Sequence, residues 1–85
     1  MEIRFTRSFE RDYRELPKAL QSAVDKKLLL FLGNSKHPSL RVKKMEGYAN
    51  IWEGRVSKGC RFTFCIIDAT YVIRRVGTHD VLRKP

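Results

Sequence analysis

The sequence predicts a single α+β domain in the order β-α-α-β-β-β, a helical hairpin packed on one face of a mainly antiparallel sheet. Three observations predict it. Apolar residues recur at helical spacing from Phe9 to Phe31, and after Gly47 the apolar period changes to two. Turn residues at hairpin spacing divide that second half into strand-length runs. With 85 residues there is one core, since a chain of this size buries only about 60–65% of the surface it exposes when unfolded. One domain, residues 1–85, is expected.

Each element follows from its residues. Glu2-Ile3-Arg4-Phe5-Thr6 alternates polar and apolar and reads as a short strand. Phe9, Tyr13, Leu16 and Leu20 then recur at helical spacing, with Thr6 or Ser8 as N-cap. Pro17 disfavours helix at Leu16 but is tolerated in a first turn, so two helices are expected, near 7–15 and 17–32. The second carries Leu20, Val24, Leu28 and Phe31 on one face and ends at Gly33-Asn34. Residues 33–48 are loop by composition. Strands are expected over Ile51–Ser57, Arg61–Ile67 and Tyr71–Thr78, joined by Lys58-Gly59 and by Asp68-Ala69-Thr70.

Alternation also predicts the faces. Phe62, Phe64, Ile66, Trp52, Val56, Val72 and Val76 form the set expected to meet the helices. Glu53, Arg55, Arg61, Arg75 and His79 fall on the other face. Arg74 on the core side, with Tyr71 and Ile73 on the open side, breaks this pattern and signals a twist or bulge in the last strand.

Composition narrows the function. Five Gly and three Pro are too few for a linker, and nine aromatics too many for a disordered chain. The apolar runs Leu28–Leu32 and Phe64–Ile67 are far shorter than a membrane helix, and Met1-Glu2-Ile3-Arg4-Phe5 has no apolar signal region, so a cytoplasmic protein with no membrane partner is expected. Lys plus Arg is 18 and Asp plus Glu is 9, a net charge of +9. Residues 1–32 hold seven basic and five acidic residues, +2, whereas residues 33–85 hold eleven and four, +7. An excess gathered in one part of a small domain points to a polyanion partner. Arg41, Lys43, Lys44, Arg75 and Arg83 are its expected RNA contacts. Cys60 and Cys65, five apart in a strand-like run, fall on opposite faces and do not bridge easily. No metal-ligand spacing, phosphate loop or nucleophile elbow is present, so neither metal nor small-molecule cofactor is expected.

RNA cleavage suits what remains. It needs a base for the attacking 2′-OH, an acid for the departing 5′-oxygen and cations around the phosphorane-like transition state, with no metal. His79 is the candidate proton carrier, because an imidazole ordinarily titrates near neutrality. Arg61, Arg55 and Arg75 can each fork onto a phosphate. Glu53 is either a general base or an ion-pair partner that orients Arg55 or Arg61.

The segment Trp52-Glu53-Gly54-Arg55-Val56-Ser57-Lys58-Gly59-Cys60-Arg61-Phe62-Thr63-Phe64, followed by Val76-Gly77-Thr78-His79-Asp80-Val81-Leu82, resembles the RelE/ParE toxin superfamily. The matching elements are a basic strand, a turn, an Arg opening the next strand, and a closing strand that ends in V-G-x-H/R. Element order agrees over nearly the whole chain. Within the superfamily it is similar to the RelE, YoeB and YafQ branches of ribosome-dependent mRNA interferases. The resemblance implies a toxin of a type II toxin–antitoxin pair, a metal-independent endoribonuclease silenced by an acidic antitoxin and acting on mRNA in the ribosome. By position Arg61 matches the transition-state Arg, Arg55 a basic position on the preceding strand, Glu53 a second Lys of RelE, and His79 the closing His or Arg. Two positions depart. Leu82-Arg83-Lys84 stands where many relatives have an aromatic, and Ser39 where one branch has a catalytic Glu. A ParE-like gyrase inhibitor that acts by binding, or a catalytically attenuated member, is the alternative.

Overall fold

The computed structural model describes residues 2–85. The chain runs β1 (Glu2–Phe5), α1 (Arg7–Glu15), α2 (Lys18–Gly33), β2 (Lys43–Lys44), β3 (Trp52–Ser57), β4 (Cys60–Ile67) and β5 (Thr70–Gly77), with 3₁₀ turns at Pro38–Leu40 and His79–Leu82. The expected α+β architecture is present. The five strands lie in the order β1-β5-β4-β3-β2.

Local chemistry explains the helix ends. Thr6 is the N-cap of α1, its hydroxyl accepting from the Phe9 N–H at 3.0 Å. Pro17 stands extended at the start of α2, and the Asn34 N–H closes its far end on the Leu30 carbonyl at 2.8 Å. Val24, Leu28 and Phe31 then face the sheet. Phe31, fully buried, makes edge contacts with Phe62 and Phe64 at centroid distances of 5.4 and 4.8 Å. Phe62 lies over Gly54, its cross-strand partner, and a Cβ at Gly54 would overlap the ring.

Two features depart from the expected pattern, and the break signalled in the last strand resolves as a bulge. Lys43–Lys44, read as loop, forms an edge strand antiparallel to β3. The first strand pairs parallel with β5, from Glu2 opposite Thr70 to Phe5 opposite Ile73. Finally, β5 bulges: Thr63 opposes Arg75 but Phe64 opposes Ile73, so Arg74 is the extra residue. One extra residue inverts the parity of everything before it. Ile73 and Tyr71 therefore share the helix side with Phe64 and Ile66, and Val72 lies opposite Cys65 on the other face, correcting its expected core position. Ile66 is on the expected side but beyond the cover of α2, and it remains exposed.

Candidate functional site

The β3–β4 hairpin builds the site. Register places Arg55 directly opposite Arg61, and Arg61 in turn opposite Gly77 of β5. Like charges facing each other across strands destabilise a sheet, so this pair is a standing demand for an anion or for carbonyl oxygens. Arg61 partly meets it within the hairpin. Its Nη1 donates to the carbonyls of Ser57 at 2.7 Å, Cys60 at 3.1 Å and Lys58 at 3.3 Å. Those bonds fix the guanidinium plane, and neither Nε nor Nη2 is engaged in a hydrogen bond among the described residues. Two donors in a rigid fork match a phosphate.

One row further from the turn, Lys43, Glu53, Thr63 and Arg75 stand side by side on the same face. Glu53 makes no ion pair among the described residues, where the pairs are Arg11–Asp12 and Arg75–Asp12. It remains a half-buried carboxylate two residues from Arg55. His79 opens the 3₁₀ turn two residues after Gly77 and is exposed. Two residues span about 7 Å at most, so the imidazole belongs to the same end of the sheet as the Arg55–Arg61 pair.

The expected RNA contacts divide. Arg41, exposed, closes the Pro38–Leu40 turn in the left-handed conformation at φ 45°. Lys43 shares the face of Glu53, whereas Lys44 pairs with Trp52 and points to the helix side. Arg83, exposed, caps the His79 turn. Arg75 is not free. Its Nε and Nη2 donate to the two oxygens of Asp12 on α1 at 2.7 and 3.0 Å, and this bond raises its already high pKa. Asp12, 7% exposed, also accepts from the Val76 N–H at 3.3 Å.

Asp12 and Thr63 are structural participants that sequence reasoning passed over, and Arg74, read there only as a break in alternation, is a third. A signal for Asp12 exists: it sits in the apolar stripe Phe9-Asp12-Tyr13-Leu16, and a carboxylate there requires a buried cation. Cys60 is a poor nucleophile, since burial pushes its thiol pKa up, against the lowering effect of Arg61. Among the described residues no group of three His, Cys, Asp or Glu side chains gathers into a metal site. Nor is any helix among them long and apolar enough to cross a membrane. On the helix side, an apolar groove of about 350 Å³ lies between Val42, Trp52, Phe64, Ile66 and Tyr71, with Lys36 beside it.

No family model and no curated protein matches the sequence. Solved structures do. A chain of the RelB–RelE antitoxin–toxin complex from Methanococcus jannaschii superposes with a TM-score of 0.77 at 18% identity, covering 95% of each chain. A chain of the DinJ–YafQ toxin–antitoxin complex from E. coli gives 0.78 at 15%, covering 95% and 94%. The RelBE2 toxin–antitoxin complex from Mycobacterium tuberculosis gives 0.74 at 26%, covering 91% of this chain and 95% of that one. The fold is that of the RelE, YafQ and YoeB toxins.

Proposed function

We propose that this chain is the toxin of a type II toxin–antitoxin pair and a metal-independent endoribonuclease that cuts mRNA on the ribosome in the cytoplasm. The observation that carries the reading is the opposed Arg55–Arg61 pair at the sheet end to which His79 belongs, on a fold shared with chains from toxin–antitoxin complexes.

In this reading the scissile phosphate sits over Arg61 and Arg55, which neutralise charge as the 2′-oxygen bonds to phosphorus. The bond from phosphorus to the 5′-oxygen breaks, leaving a 2′,3′-cyclic phosphate. His79 supplies the proton that the departing 5′-oxygen takes up, and Glu53 receives the 2′-OH proton. Arg41, Lys43, Lys44 and Arg83 hold rRNA and mRNA phosphates, while Arg75 serves mainly as scaffold. The antitoxin is an acidic polypeptide that neutralises the basic surface and covers the site.

The test is single-turnover cleavage of a programmed ribosome alongside ribosome pelleting. Arg61→Ala removes a cation aimed at developing charge, a loss of about 10²–10³ in rate. His79→Ala removes the proton donor, a loss of about 10²–10⁴. Both variants should still pellet with ribosomes, and Lys36→Ala should cleave like the parent. Parental cleavage by both site variants would refute the assignment. Growth arrest with DNA breaks and intact mRNA would favour a gyrase-directed inhibitor instead.

A further inference from the structure

The bulge in β5 sets two successive arginines against Thr63 of β4, and all three hold the chain that follows the His79 turn. Arg74 Nε donates to the Pro85 carbonyl at 3.0 Å, and Thr63 Oγ1 donates to the same oxygen at 3.2 Å. Arg75 Nη1 donates to the Lys84 carbonyl at 3.3 Å. Arg75 is itself fixed from the far side by the bidentate pair with Asp12 of α1. Thr63 and Pro85 are buried. Between these anchors and the strand end, Val81 packs on Gly77, where a Cβ would come within 3.0 Å of Val81 Cγ1. The segment 79–85 is therefore held at both ends, and His79 is the exposed residue at its start.

A buried ion pair is a weak source of stability, because apolar groups of similar volume usually do as well. Its distinctive property is direction. The Asp12 fork takes Nε and Nη2 of Arg75 and leaves Nη1 aimed at the Lys84 carbonyl, so α1, β5 and segment 79–85 share one guanidinium. We propose that Asp12, Arg75 and Arg74 are positioning residues that hold the His79 turn against the sheet end, fixing where the imidazole stands relative to Arg55 and Arg61. This rests on the reading of His79 as the proton donor. A turn freed from its anchors samples many orientations, and a proton donor misplaced by about 1 Å loses on the order of 10²-fold in rate.

The test uses the full chain and the variants Asp12→Asn and Arg74→Ala. The chain has two histidines, 37 and 79, so the His37 ring signals in an NMR spectrum are an internal control. In both variants the backbone amide signals of residues 79–82 and the His79 ring signals should shift or broaden while those of His37 stay fixed. Single-turnover cleavage should fall about 10–100-fold, with ribosome pelleting unchanged. Unmoved His79 signals in the folded variants would overturn the proposal, and so would moved signals with parental cleavage. If Asp12→Asn does not fold, Arg74→Ala, which leaves the ion pair intact, decides by the same two readouts. If the parent chain cleaves nothing, the ring signals alone decide whether the anchors position His79, and the failure belongs to the proposed function.

Discussion

Gly54 is the position at which a single methyl group tests the whole packing of the site's scaffold. It stands between Glu53 and Arg55, and the Phe62 ring covers it from the neighbouring strand. Phe62 has no exposed surface and is confined by Phe31 and Phe64, at centroid distances of 5.4 and 5.9 Å. The ring cannot swing aside, so Gly54→Ala belongs at the upper end of overpacking costs, about 3 kcal/mol. Against this, alanine recovers about 0.5–1 kcal/mol that glycine loses in a strand. The net expectation is a loss of about 2 kcal/mol, or about 8–16 °C in Tm for a domain of this size. Urea denaturation should show a lower midpoint with an unchanged slope. Phe62→Leu alone should cost about 1–2 kcal/mol by leaving a cavity. The double variant should fill that cavity with the new methyl, a favourable coupling of about 1–2 kcal/mol. Costs that add to within about 0.5 kcal/mol would refute the contact as the cause.

Other outcomes follow from single features. The two-residue turn between β4 and β5 has positive φ at both Asp68 (49°) and Ala69 (58°). Ala69→Gly should therefore raise stability by about 0.5–1 kcal/mol in chemical denaturation, and a loss would contradict the turn geometry. Tyr13 has its pKa raised above 10.0, chiefly by the hydrogen bond to Asp25, and Cys60 above 9.0, chiefly by burial. Raised folded values mean that the stability these groups contribute is whole below about pH 9 and drains as pH climbs through them. Thermal melts from pH 8 to 11 should show a falling midpoint, with a shallower fall in Tyr13→Phe; a rising midpoint would invert the sign. Association with an acidic polypeptide should weaken as salt screens the +9 surface, and calorimetric affinities indifferent to salt would count against an electrostatic partner.

Much of this was open to the sequence because it depends on near neighbours. Phe9, Val24, Leu28 and Phe31 declared their helices through a spacing of three and four, and Thr6 and Pro17 marked the ends. Arg55 and Arg61 were legible as neighbours because the Lys58-Gly59 turn brings their strands together, but their direct opposition was not, since it needs the register shift between Arg55 and Ser57. Nor was Lys43–Lys44, since two lysines carry no period and become a strand only when β3 offers them an edge. The parallel pairing of β1 with β5 joins residues at opposite ends of the chain, and no local pattern encodes it.

The bulge at Arg74 is the clearest division. Alternation in β5 announced a break through the misplaced Tyr71, Ile73 and Arg74, because side-chain parity is a property of consecutive residues. Which residue would be extra depended on what waited around the strand: Phe31 and Phe64 accepting Tyr71 on one side, and the Pro85 carbonyl accepting from Arg74. The fate of Arg75 was settled the same way. Its charge was visible in the sequence, but Asp12 lies 63 residues away, and only the folded chain brings that carboxylate within 2.7 Å. Periodicity thus determined the elements and, outside β5, the faces of their side chains. Tertiary structure decided which cations face outward, because a buried carboxylate will not remain unpaired.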